Sequence, residues 1–152
     1  MGASGWSYVT PWRGSIEETM AALQSEVFAE YFSTWPQDRR PADIAELWSG
    51  DERDEDTWAG FMGAQGTHTI LDVRGLVPPD TRVDYLFNTM RPVPVAEIIE
   101  TFGHDKPTRA EYEQLGDASP LLDDDGSWTG RCLVLYQNGL PEAVAFWGSS
   151  GD

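Results

Sequence analysis

The stretch RCLVLYQNGLPEAVAFW, residues 131–147, decides the fold. Two runs rich in β-branched and aromatic residues flank Asn138-Gly139. Both residues of that dipeptide tolerate the left-handed backbone that a two-residue hairpin turn demands. The spacing therefore predicts an antiparallel β-hairpin near the C-terminal end.

Working outward, GWSYVT (5–10) alternates and is aromatic-rich, which predicts a short strand. Ser15 and Glu18 form a capping box ahead of a helix over 16–32, where Met20, Leu23, Val27, Phe28 and Tyr31 recur at helical steps. PADIAELW predicts a short second helix, with Pro41 just inside its start and Ile44, Leu47 and Trp48 on one side. SGDERDEDTW (49–58) reads as a solvated acidic loop leading into a helical turn at 55–62. THTILDV and VDYLFNTM are expected to be strands, joined by the proline-broken GLVPPDTR. VPVAEIIETFG predicts a helix from Pro94 to a stop at Gly103, and TRAEYEQLG another, boxed by Thr108 and Glu111 and ending at Gly116. Helices and strands mix without regular βαβ alternation. The expectation is one α+β domain over 1–152: an antiparallel sheet ending in a C-terminal hairpin, with several short helices packed on one side.

Composition bounds the function. The chain has 152 residues, with 26 acidic against 10 basic side chains, a net charge of −16 and a pI near 4.2. Such a surface repels phosphate backbones and anionic lipid, so no direct nucleic-acid binding and no membrane association is expected. Attraction is left for a basic protein face or a cationic or aromatic small molecule. No apolar run reaches the roughly 18 residues of a membrane span, and the opening MGASGW lacks the basic and apolar regions of a signal peptide and the myristoylation pattern. With the single Cys132, this predicts a cytoplasmic protein.

Phosphate loops, nucleophile elbows and paired metal-binding cysteines are absent. LLDDDGSW resembles a calcium loop only until it is aligned, when Leu121 and Cys132 fall on positions that need oxygen ligands. No metal and no cofactor is expected. His68, in QGTHTILDVRG (65–75), is the candidate acid–base residue. On a strand it would share a face with Asp72 at roughly 13 Å, too far to pair, so the competing reading has it organising the strand entrance. His104 follows a helix C-terminus, where a cation suits the dipole, and Cys132 on an apolar strand reads as inert packing. Trp6, Tyr8 and Trp58 are candidate binding residues, because this many large rings exceed what a small core hides. Asp54, Glu55 and Asp56 join them as the centre of the acidic run.

MGASGWSYVTPW, SEVFAEY, GTHTILD, RPVPVAEIIETFG and the terminal hairpin together resemble a family of small, acidic, uncharacterised actinobacterial proteins. The resemblance implies one whole bacterial, cytosolic domain and carries no activity, cofactor or residue role. Three functions are consistent with the sequence. The first is a binding or regulatory protein that neutralises a basic protein, as an immunity protein or inhibitor does. The second is a small enzyme or ligand-binding protein of specialised metabolism, with His68 beside an aromatic pocket. The third is an accessory subunit without a site of its own.

Overall fold

The computed structural model describes residues 4–82, 84 and 86–151. The hairpin forms as the sequence predicts: β4 (Thr129–Gln137) and β5 (Leu140–Ser150) pair antiparallel with Gln137 opposite Leu140. Asn138 and Gly139 both take positive φ, 52° and 76°, as a two-residue turn between twisted strands requires. β1 (Ser4–Pro11) adds antiparallel to the far side of β5.

The rest of the sheet departs from the expectation. β3 (Thr89–Pro92) lies parallel to β4, and β2 (Gly75–Leu76) parallel to β3, giving a mixed sheet in the order β1-β5-β4-β3-β2. The physical reason is a crossover. The chain leaves β3, runs through α4 (Val95–Phe102) and α5 (Arg109–Glu113), and re-enters the sheet as β4 in the same direction.

Helices also cover both faces rather than one. Trp6, Met90, Cys132, Val144 and Phe146 point to one face and pack on Met20, Leu23 and Val27 of α1 (Ile16–Tyr31), with Leu47 and Met62. Leu133, Leu135, Ala143, Ala145 and Trp147 point to the other and meet Ile98 of α4, Leu121 and Tyr112 of α5. With both faces covered, residues 143–150 are buried at every position.

Local signals are well kept. Of the box expected at α1, the half in which Ser15 accepts from the Glu18 amide is formed, whereas the Thr108–Glu111 box has both halves. α2 (Ile44–Leu47) starts from Asp43, leaving Pro41 ahead of the helix, and α3 (Trp58–Ala64) starts from Thr57. α4 ends at Gly103 in the left-handed conformation, whereas α5 ends before reaching Gly116. THTILDV is not a strand; it holds a 3-10 turn at Ile70–Asp72. In VDYLFNTM, Val83 and Tyr85 lie outside the described residues, and strand pairing begins at Thr89. Among the described residues no helix is long and apolar enough to cross a membrane.

One buried feature is ionic. Arg91 on β3 and Arg131 on β4 are register partners, and both side chains are buried. Arg91 grips Asp125 with two bonds, Nε to Oδ2 at 2.8 Å and Nη2 to Oδ1 at 2.7 Å. Arg131 grips Glu97 of α4 with Nη1 and Nη2 at 3.0 and 2.7 Å. Removing one partner of such a pair strands a buried charge, which costs about 3–5 kcal/mol. Asp125→Ala is accordingly expected to lower stability by about that amount in urea unfolding, while Asp123→Ala, at an exposed neighbour, shifts it by less than about 0.5 kcal/mol.

Candidate functional site

His68 sits in a turn organised by one carboxylate. Gly66 and His68 both have positive φ, 67° and 56°. Asp72, only 1% exposed, accepts the Thr67 amide at 2.7 Å and the Thr67 hydroxyl at 3.0 Å on Oδ1, and the His68 amide at 2.8 Å on Oδ2. His68 and Asp72 therefore do meet, through the histidine's backbone, because the segment turns where an extended strand would have kept them apart. Helical side chains hold the turn from outside it. Gln24 Nε2 donates to the carbonyls of Ile70 and Val73 at 3.2 and 2.8 Å, and Trp48 Nε1 to that of Leu71 at 3.0 Å. The His68 side chain is exposed, and its ring makes no hydrogen bond among the described residues.

The predicted binding residues separate into two places. Trp6 and Tyr8 lie on the inner face of β1, their ring centroids 6.1 Å apart. Trp6 is buried over Gly148 and donates from Nε1 to the Ser150 hydroxyl at 3.1 Å. A Cβ at Gly148 would stand 2.5 Å from the indole, so the glycine is what admits the ring. Tyr8 is half-buried, and its pKa is raised first by burial and further by the charges of Glu30 and Asp72, against a lowering hydrogen bond from the Ile70 backbone.

Trp58 belongs elsewhere, with Asp54, Glu55 and Asp56. It packs among Phe32, Trp35 and Phe61 at centroid distances of 5.9, 6.2 and 5.8 Å, and Trp35, Trp58 and Phe61 are all only half-buried. The acidic loop beside it is ordered. Asp51 Oδ1 accepts the Arg53 amide at 2.9 Å, and Asp54 Oδ1 accepts the Asp56 amide at 3.0 Å. Thr57 Oγ1 donates to the carbonyl of Asp51 or Asp54, at 2.9 and 2.8 Å, while accepting the Gly60 amide at 3.1 Å. The Asp54 carbonyl lies so close to Gly60 that a Cβ there would stand 1.8 Å from it. The loop is thus clamped to α3 at a position only glycine permits.

The remaining sequence candidates are structural in their contacts. Burial pushes the Cys132 thiol up to about 12, which leaves no thiolate near neutral pH. His104 Nε2 lies 2.9 Å from a carboxylate oxygen of Glu111, and this hydrogen bond, ahead of those from Thr108, holds Glu111 below the usual carboxylate range. Among the described residues no group of three metal-ligating side chains converges.

Sequence reasoning missed Asn88 and Trp128, which have φ of 55° and 64°. With His68 they place three left-handed non-glycine residues around one corner. Asn88 Nδ2 donates to the Asp72 carbonyl at 2.8 Å, and the Trp128 ring lies against Gly66. Each such residue costs roughly 1–2 kcal/mol, most tellingly for a bulky tryptophan. Turn signals were present in Gly66 with the Thr-His-Thr that follows and in the polar LLDDDGSW that ends at Trp128, but none of them foretold that these residues meet.

Two expectations follow. Asp72→Ala orphans buried donors and is expected to cost about 2–5 kcal/mol, whereas His68→Gly relieves the left-handed backbone and changes stability by less than about 1 kcal/mol, both read from urea unfolding. Separately, Cys132 in the native protein is expected to resist a thiol reagent at pH 8 and to react fully once the protein is unfolded in urea. Compared with family models, curated proteins and solved structures, the chain matches none, so its function is argued from these residues.

Proposed function

We propose that the chain is a binding protein that recognises a basic polypeptide partner and masks its cationic surface, as an immunity protein or inhibitor does. One observation carries this reading: exposed Asp54, Glu55 and Asp56 stand on an ordered loop directly beside the half-buried rings of Trp35, Trp58 and Phe61. Order matters because a loop already in its bound shape loses less entropy on association. Half-buried tryptophans are the side chains on which interface energy concentrates. The net charge of −16 adds a field that accelerates encounter with a cationic surface. A cytosolic bacterial setting fits the single thiol and the family resemblance. The enzyme reading draws no support from His68, whose ring has neither a carboxylate nor a hydroxyl partner. Metal and cofactor have no part in the proposed interaction.

The test is capture of a partner from cell extract by the immobilised chain, followed by affinity measurement on the purified pair. Binding is expected to weaken steeply as ionic strength rises from about 0.05 to about 0.5 M. The triple variant Asp54→Asn, Glu55→Gln, Asp56→Asn is expected to weaken it about tenfold or more. Asn at position 54 keeps the Oδ1 acceptor that shapes the loop, so charge is removed while the turn stays. Equal affinity of the triple variant and the native chain eliminates this reading.

A further inference from the structure

The sheet ends on one side in an open edge strand. β1 pairs with β5 alone, so its outer side carries no further strand among the described residues. Folded proteins ordinarily blunt such edges with charge, a bulge or extreme shortness, because an open edge invites another strand. The opposite edge is protected in this way, since β2 is two residues long. β1 runs eight residues, SGWSYVTP, without a charged side chain, and its register with β5 is unshifted from Ser4 to Pro11. Pro11, at its last position, is the one residue that cannot donate. Ser4, Gly5 and Ser7 are exposed, and a cavity of about 540 Å³ opens beside them.

Small residues on the edge strand make that cavity. Gly5 stands opposite Ser149 and Ser7 opposite Trp147, so these positions share one face of the sheet and leave room beside the indole. Tyr112 of α5 lies against Trp147, ring centroids 6.1 Å apart, and Leu115 and Leu122 extend the apolar wall. The other lining side chains are acidic: Glu113, Asp117 and Asp124, with no basic residue among them. Glu113 is paired with Arg109 at 2.9 Å, whereas Asp117 and Asp124 make no ion pair among the described residues. Aromatic rings beside free carboxylates form the surrounding that suits a lysine or arginine head group.

We propose that β1 takes an extended, basic segment of a partner protein as a sixth strand of the sheet, with a lysine or arginine of that segment reaching into the cavity. The inference rests on the reading of the chain as a binder of a basic polypeptide, and adds where and how that polypeptide docks. Main-chain hydrogen bonds along the open edge supply affinity, and the cavity supplies the preference for a cation. An added strand lies about 4.8 Å from β1, so a long side chain on its Ser7 face extends over Ser7 into the cavity. Alternation turns the intervening side chains toward half-buried Tyr8, where apolar ones fit. Charge decides against a second copy of this chain as the occupant. Two copies would bring −16 each to one edge, and β1 has no positive group to offer the carboxylates.

The experiment titrates the ¹⁵N-labelled full chain, at about 0.05 M salt, with the peptide acetyl-Thr-Lys-Val-Lys-Val-Lys-Thr-amide. Extended, it sets its lysines on one face and its valines on the other. A second peptide of the same sequence is N-methylated at every lysine and valine, which keeps the charge and removes the ladder donors. The first is expected to move the amide signals of residues 4–10 and the Trp147 indole signal saturably below about 1 mM. The N-methylated peptide is expected to bind at least about tenfold more weakly, since several hydrogen bonds are lost. Ser7→Lys, at an exposed position, sets a like charge at the cavity mouth and is expected to weaken the first peptide about tenfold. Asp117→Asn with Asp124→Asn is expected to weaken it about threefold or more. No saturable shift, equal binding by the N-methylated peptide (attraction by net charge alone), or undiminished binding by either variant each overturns the proposal. Should a variant not fold, the two peptides on the native chain decide the matter. The 54–56 triple variant is read on a captured partner, so loss of the acidic loop's role and loss of strand addition are told apart.

Discussion

Two arginines side by side inside the sheet set the constraint that organises the second face of this fold. Parallel pairing of β3 with β4 places Arg91 opposite Arg131, where like charges repel in a buried setting. Neither could stay buried without a carboxylate, and the crossover between the two strands supplies both. Glu97 comes from α4, and Asp125 from the loop that leads back into β4. Each guanidinium is gripped by two bonds, which fixes direction as well as distance. Docking of α4 and of the 120–126 segment is thereby tied to the register of the parallel pair, whereas the first face is held chiefly by apolar packing on α1. A further bond is left unmade: Arg131 Nε stands 3.9 Å from Asp125 and has no partner of its own.

That contrast explains which parts of the fold were legible in the sequence. The hairpin turn, the Ser15 and Thr108 caps and the Gly103 stop are local devices, set by residues a few positions apart, and all appear where the sequence places them. Parallel pairing has no such local mark. Its one trace was a helix lying between two strand-like runs, which is what a crossover looks like in sequence. The unbroken burial of 143–150 likewise belongs to a strand covered on both faces. THTILDV misled for a different reason. Its β-branched residues favour a strand, but Asp72 offers the amides and hydroxyl of Thr67 and His68 a closer acceptor than any neighbouring strand.

The candidate sites divide along the same line. Trp58 and the acids at 54–56 were found because they are adjacent in the chain. The left-handed backbone at Asn88 and Trp128 was not, because the corner they form with His68 is assembled from three distant segments. Asparagine adopts that conformation readily, but at Trp128 it follows from tertiary pairing and not from the side chain. Trp6, singled out for its amphipathic ring, packs into the core, because Gly130 and Gly148 clear a bed for it across two strands. Small residues opposite a large one mark such a bed, but only after the register is known.

The acidic run also gains internal structure. As a string it is a block of like charge, and such blocks are ordinarily solvated and loose. In the fold its members do different things. Asp51 and Asp54 turn their carboxylates onto backbone amides and shape the loop, and Glu52 pairs with Arg74. Glu55 and Asp56 make no ion pair among the described residues and remain exposed. Asp54, Glu55 and Asp56 all remain exposed just ahead of Trp58, and the loop that presents them is held against α3, where the Asp54 carbonyl is seated on Gly60. Unpaired charge, a fixed backbone and a half-buried ring thus coincide within four residues, Glu55 to Trp58. Solubility alone requires the charge, but it requires neither the clamp nor the ring.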